Sequence, residues 1–349
     1  MSAERSIQGC RSFPVLRLSA RYVGVAAIVL VVFAGVLLLA GKDPIKAYAD
    51  TFRYSLANFY GFSELLVRMT PLILTAVAVA IPSRLGLINV GGEGQLFMGA
   101  WAATAAALLL PWLPVWILLP VVTVLGFAGG AFWAAIPGIL RARKLVNETI
   151  ATLLLNYVAP LIVSYFIFGP WRSAESSAYP QSPAFPEAAR LPSLFNTRIN
   201  FGLFIALTVL LAYWFLMEKT RWGVDMRSIG GNAEAAQRLG IPVATYVVVA
   251  LAIGGGIAGL AGMEEVSGIH HHLTQGLSPG YGFTGFLIAW LAGGRPLGML
   301  LMTFLFAVLI SAGDILQISQ GLPYSVVNIL LAMILFVVLN RNFGGRWSK

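Results

Sequence analysis

A chain of 349 residues, 58% of them hydrophobic and 11% charged, lies far from soluble domains, in which about a quarter of residues are charged. Its net charge of +9 comes from Lys and Arg scattered through short segments between apolar runs, so it speaks of membrane topology rather than nucleic acid. With a single cysteine, Cys10, no intrachain disulfide is possible.

A membrane-spanning helix needs about 20 apolar residues. By that measure the chain reads as all-α and polytopic, with about ten spans expected at 22–40, 64–82, 94–110, 115–139, 147–168, 200–217, 243–263, 281–293, 297–316 and 323–340. The run at 22–40 is longer than a typical signal core and is read as a retained span after a basic tail, 1–21, carrying Arg5, Arg11, Arg17 and Arg21. Ile7-Gln8-Gly9-Cys10 has the outline of a lipoprotein cleavage site, but no apolar stretch precedes it. The transmembrane region extends over 22–340, and a short tail, 341–349, follows.

Charge orients the spans. With both termini in the cytoplasm, most of the 23 Lys and Arg fall inside: Arg84, then Arg141, Arg143 and Lys144, then Lys219, Arg221, Arg227 and Arg238, then Arg295 and the C-terminal tail. Lys42, Lys46, Arg53, Arg172, Arg190 and Arg198 fall outside. Segment 281–293 is short for a span and is the weak point of this count.

Gly86-Leu87-Ile88-Asn89-Val90-Gly91-Gly92-Glu93-Gly94-Gln95 is the stretch with most chemistry. Glycine at this density is not expected to hold a regular helix, and irregular backbone at membrane depth is tolerated only where protein buries it or a cavity adjoins it. A carboxylate there is a functional candidate by default. The plainer reading is a connecting loop in which Glu93 complements the dipole of the next helix. Further on, Asn147, Glu148, Thr152 and Asn156 follow near-helical spacing and are candidates, with Glu93, to line a polar passage. A second glycine-interrupted stretch, 276–285, precedes another apolar helix, and paired breaks of this kind point to a substrate path.

Two hydrophilic segments interrupt the pattern. Segment 169–199 is expected outside, as a docking surface or a tether. Segment 218–242 is expected inside, and Gly230 to Pro242 reads as one short helix: Asn232 as cap, Glu234 in the first turn, Arg238 in the last, Gly240 and Pro242 at its end. A helix this short is marginal alone and needs a surface to lean on.

No G-x-x-x-x-G-K-[ST] phosphate loop occurs, so nucleotide hydrolysis by this chain is not expected. Gly276-Leu277-Ser278-Pro279-Gly280 fits G-x-S-x-G, with His270, His271 and His272 upstream, but it lacks the strand–turn–helix setting of a nucleophile elbow. The three histidines are adjacent, share no helical face and are read as solvated outer residues without a metal.

Asn89 to Gln95 resembles the Asn-x-Gly-x-Glu-Gly-Gln signature of ABC importer permeases for simple sugars and nucleosides, within the group that also holds branched-chain amino-acid and ribose permeases. Pro71, Asn147-Glu148-Thr149-Ile150 through Leu155-Asn156-Tyr157, Gly230-Gly231-Asn232 through Gly240-Ile241, and Ser278-Pro279-Gly280-Tyr281-Gly282-Phe283 resemble further landmarks in family order, over about residues 60–340. Gly92 before Glu93, and Trp290-Leu291-Ala292-Gly293-Gly294-Arg295, depart from the commoner pattern and leave the substrate open.

The resemblance implies a bacterial inner-membrane permease subunit that is not itself an enzyme and binds no cofactor. ATP and Mg would be held by a cytoplasmic ABC ATPase partner, with a second related permease and an extracytoplasmic binding protein completing the system. It also implies that Asn232, Glu234, Ala235, Ala236, Arg238, Leu239 and Gly240 form the helix that docks in the ATPase. Asn89, Glu93, Gln95, Asn147 and Asn156 are the expected polar pathway residues, with Tyr157 and Phe283 as aromatics for a base or sugar. Alternatively the motif holds a broken helix in shape. The rival from another class is an ATPase-independent secondary transporter or channel, which predicts coupling carboxylates or histidines deep in mid-span.

Overall fold

The computed structural model describes residues 31, 33–35, 37–39, 41–174, 179–321 and 329. The expected spans 22–40 and 323–340 lie largely outside these residues, and both tails lie wholly outside them. The chain divides into two compact units, one of residues 59–308 and a smaller one of the residues on either side of it.

In the smaller unit a helix α1 (Pro44–Ser55) occupies a stretch expected only as an outer connection. Its signals are local: Asp43 Oδ1 accepts from the Ile45 and Lys46 amides, at 2.8 and 3.3 Å, and Pro44 opens the first turn.

The larger unit is helical throughout its regular elements: α2 (Phe59–Ser83), α3 (Gly92–Leu109), α4 (Val115–Ala142), α5 (Glu148–Phe168), α6 (Gly202–Lys219), α7 (Arg221–Gly231), α8 (Ala233–Arg238), α9 (Val243–Glu264), α10 (Tyr281–Leu291) and α11 (Pro296–Gln320), whose last residues pass into the smaller unit. Six helices among the described residues are long and apolar enough to cross a membrane. The expected eighth span is an 11-residue helix, about 16 Å long and half of a hydrocarbon core of about 30 Å. The chain is thus a polytopic helical membrane protein with one short apolar helix, α10, among the described residues.

α9 lies against α2, α3 and α4, and α10 against α2 and α3. Between apolar helices in lipid no water-driven force distinguishes neighbour from solvent, so close packing must supply the cohesion. Gly130 of α4 and Gly259 of α9 allow it: a Cβ on Gly130 would stand 2.8 Å from the Gly259 Cα. α2 is buried along its length from Met69 to Pro82, which makes it the central helix of the unit.

Three local expectations need correction. Glycine does not keep 86–95 out of a helix: the irregular part ends at Gly91, and α3 starts at Gly92 because its glycines face other backbones. The segment from Gly230 to Pro242 is not one helix, since α7 runs through Gly230 and Gly231 and the break falls at Asn232. The histidines are not freely solvated. α9 continues as a π-helical turn (Glu265–His270), and residues 181–200 fold onto it: Phe185 N bonds His271 O at 2.8 Å, Leu191 N bonds Ser267 O at 2.9 Å, and Phe185 and Leu191 are buried. His270, His271 and His272 are consequently half-buried.

Candidate substrate-path and coupling sites

The glycine loop is held from two sides. On one side α5 presents Glu148, Thr152 and Asn156 at four-residue spacing, all buried on one face as the sequence suggested. Each addresses the loop's main chain. Asn156 Oδ1 accepts from Gly94 N at 2.8 Å, while Asn156 Nδ2 donates to Val90 O at 2.8 Å. Thr152 Oγ1 accepts from Val90 N at 3.3 Å, and Glu148 Oε1 lies 3.5 Å from Ile88 N. Glu148 is also paired with Arg141 at 3.0 Å. Backbone that leaves its helix inside a bundle must find such partners or strand its polar groups. Gly94 permits the approach, since a Cβ there would sit 2.9 Å from Leu155 O.

Inside the loop, Asn89 and Gln95 exchange two side-chain bonds, at 3.1 and 3.0 Å, and Asn89 Oδ1 also accepts from Gly91 N at 3.0 Å. Both side chains are buried. This closes a ring across the entry to α3.

On the other side the N-termini of α3 and α10 meet. A Cβ on Gly92 would lie 3.3 Å from Gly282 Cα, and one on Gly282 would overlap the Glu93 backbone nitrogen. Glu93, in the first turn of α3, accepts from Gly282 N at 2.7 Å with its Oε2. Ser278 lies beside this carboxylate. Its Oγ accepts from Gly280 N and Tyr281 N, at 3.1 and 3.0 Å. One carboxylate therefore faces the positive ends of two helices, the arrangement in which a buried negative charge is most readily stabilised. The Ser278 hydroxyl is thus a turn-and-cap group, and it explains the G-x-S-x-G spacing without a nucleophile.

The remaining expected pathway residues sit apart from this knot. Asn147 is exposed and caps α5, its Oδ1 accepting from Thr149 N at 2.8 Å. Tyr157 is 66% exposed on the outer side of α5, and Phe283 is 40% exposed in the first turn of α10.

In the other candidate site, Asn232 Oδ1 accepts from Ala235 N at 3.0 Å and begins α8. Ala236 is buried beneath it, whereas Glu234, Ala235, Arg238 and Gly240 are exposed and Leu239 is 80% exposed. Gly240 takes φ +85°, the left-handed turn that ends the helix.

Two clusters went unrecognised in the sequence. Arg84, read there only as a topology charge, bonds Tyr213 and Gly294. At the far end of α9, buried Glu264 accepts from Asn200 Nδ2 at 2.8 Å, Arg198 pairs with Glu64 at 3.0 Å, and His270 lies 3.4 Å from buried Glu265. No group of three or more His, Cys, Asp or Glu suited to a metal occurs among the described residues.

A helical bundle in which the short helix α10 and the 18-residue α3 meet by their N-termini over one buried carboxylate has the features of a transporter permease with a broken helix at its centre. Residues 61–339 match the family described as branched-chain amino acid transport system / permease component, and the chain belongs to that family of ABC permease subunits. It is 36% identical, over 90% of its own length and 85% of the relative's, to a glucose ABC transporter permease protein of Haloferax volcanii. It is 32% identical to a guanosine ABC transporter permease protein of Bacillus subtilis, over 93% and 94% of the two chains. A nucleoside ABC transporter permease protein of Lactococcus lactis is 31% identical over 87% and 85%.

Proposed function

We propose that this chain is one membrane subunit of an importer that carries nucleosides or simple sugars into the cell, driven by ATP hydrolysed with Mg on a separate cytoplasmic ATPase. The observation that carries this reading is the meeting of the short helix α10 with the start of α3 at Gly92, Glu93 and Gly282, beside a glycine loop tied down by Asn89, Gln95, Thr152 and Asn156. Relatives named for guanosine, nucleosides and glucose favour polyhydroxylated substrates.

In this mechanism Asn89, Glu93, Gln95 and Asn156 act on the path by shaping the backbone beside it, while Tyr157 and Phe283 offer ring faces on which a base or sugar stacks. Tyr157 becomes part of a closed path once a second, related permease covers α5. That relatives occur as two distinct guanosine permeases in one organism supports such a pair. An extracytoplasmic binding protein delivers the substrate. On the cytoplasmic side α8 docks in the ATPase, with Leu239 as its apolar contact and Glu234 and Arg238 at the rim. Nucleotide-driven movement of α8 exchanges inward and outward states, and substrate shifts that exchange only through its different affinity for the two.

The test is purification of the tagged protein from its native membrane in mild detergent, followed by ATPase assays with guanosine, uridine and glucose. Co-purification of an ATPase and a second polytopic subunit, with hydrolysis stimulated by one of these compounds, is the expected result. A homo-oligomer without ATPase, under conditions that keep known ABC complexes intact, would instead indicate a secondary transporter.

A further inference from the structure

Arg84 stands where α2 ends and the glycine loop begins. Its backbone closes α2 in a tight turn, with Arg84 N on Ile81 O at 3.2 Å, Gly86 N on Ser83 O at 3.0 Å, and Gly86 at φ +76°. Its guanidinium reaches elsewhere. Nε donates to Tyr213 Oη at 3.1 Å, and Nη2 donates to Gly294 O at 3.0 Å. Tyr213 Oη donates in turn to the same Gly294 carbonyl at 2.7 Å. Glu218 Oε1 lies 3.8 Å from Arg84 Nη2 and 3.9 Å from Arg227 Nη1. One side chain thus ties the end of α2 to α6 and to the Gly293-Gly294 turn between α10 and α11, and through Glu218 to α7.

The backbone makes the fourth connection. A Cβ on Gly230, one residue from the end of α7, would overlap the Arg84 carbonyl, and one on Gly86 would lie 3.8 Å from Gly230 O. α7 therefore rests directly on the 84–86 turn. α8 follows α7 through Asn232 alone, so a push on α8 has a short, stiff route to this turn. The turn leads at once into Leu87 to Gln95. The Gly294 turn belongs to α10, whose other end is held by Glu93.

We infer that Arg84, supported by Tyr213 and Glu218, is the positioning residue that transmits movement of the α7–α8 segment to the glycine loop and to both ends of α10. The inference rests on the importer reading, in which α8 receives the ATPase. Arginine suits the task because its planar fork makes two directed bonds at once, to a phenol and a carbonyl, while keeping its charge beside Glu218. Lysine would supply the charge but not the fork. The route is a contiguous chain of packed backbone and directed hydrogen bonds, and such a route is demonstrated only by measured coupling.

The experiment uses the whole importer complex in proteoliposomes, supplied with its binding protein and offered labelled guanosine and labelled glucose. ATP hydrolysis and uptake are measured together for wild type, Arg84→Gln, Arg84→Lys and Tyr213→Phe. The expected result is an assembled Arg84→Gln complex that hydrolyses ATP near the wild-type rate but takes up about tenfold less substrate per ATP, a loss typical of ordinary coupling energies. Arg84→Lys and Tyr213→Phe should fall between. A merely structural Arg84 would lower assembly or thermal midpoint and leave uptake per ATP unchanged, which overturns the inference. Should Arg84→Gln fail to assemble, Tyr213→Phe decides alone, since it removes one oxygen from the same junction, and unchanged uptake per ATP in it is likewise fatal. A wild-type complex without substrate-stimulated ATPase refutes the importer reading itself and is recognised before any variant is read.

Discussion

Asn156 carries the glycine loop on both of its polar atoms. Alanine there would strand the Gly94 N–H and the Val90 C=O together, and each buried group left unpaired costs about 1–3 kcal/mol. Thr152→Val removes the longer bond from Val90 N at 3.3 Å and the hydroxyl's local donation to Thr149 O at 3.1 Å, and keeps the shape of the side chain. Thermal unfolding of the purified protein should therefore rank wild type above Thr152→Val, and Thr152→Val above Asn156→Ala. Equal midpoints for the two variants would mean that Asn156 does not hold the loop. At this scale the sequence was informative about which polar residues are buried and bonded. A polar group amid apolar runs is expensive to bury, so Asn89, Glu93, Gln95, Thr152 and Asn156 announce themselves. Apart from the Asn89–Gln95 pair, six residues apart, their partners were illegible, because each is main chain or lies 62 residues or more away, as with Asn156 and Gly94 or Glu93 and Gly282.

The meeting of α3 with α10 depends on the absence of two Cβ atoms, but not equally. The Gly92 contact at 3.3 Å can relax by a few tenths of an ångström, whereas a Cβ on Gly282 would overlap main chain that has nowhere to go. Gly282→Ala should thus part the two helix ends and break the Glu93 bond to Gly282 N, abolishing uptake and lowering the yield of folded protein. Gly92→Ala should be mild in both. Size-exclusion profiles and uptake assays on the two variants check this, and a harmless Gly282→Ala would show that the helix ends are not locked together. Element boundaries were legible at Asn232, whose cap is a local cue, but not at the equally local Asp43-Pro44 start of α1. They were misread where a glycine serves packing rather than chain breaking: Gly92 and Gly94 lie inside α3 because they face α10 and α5, and Gly230 lies inside α7 because it faces Arg84. A single sequence gives both kinds of glycine the same letter.

For the whole molecule, orientation follows from where the positive charge can stay in water and away from translocation. The four N-terminal arginines lie outside the described residues, but the rule applies equally to the connections. Arg141, Arg143 and Lys144 lie between α4 and α5, and Lys219, Arg221, Arg227 and Arg238 lie at or between α6 and α9. Residues 181–200 lie between α5 and α6, at the opposite end of α5 from the first group and of α6 from the second. If α5 and α6 each cross the membrane, the basic connections face the cytoplasm and the folded segment over the π-helical turn faces outward. Cys10 is the sole thiol, so a Cys10→Ser background makes the point testable. Arg143 and Ala184 are both exposed. A membrane-impermeant maleimide applied to intact cells should label Ala184→Cys and spare Arg143→Cys, with the pattern reversed in inverted vesicles. Labelling of both from one side would mean that α5 does not span. Labelling in the reversed sense would put α8 outside, beyond reach of a cytoplasmic ATPase, and would refute the docking assigned to Leu239 and with it the coupling route through Arg84.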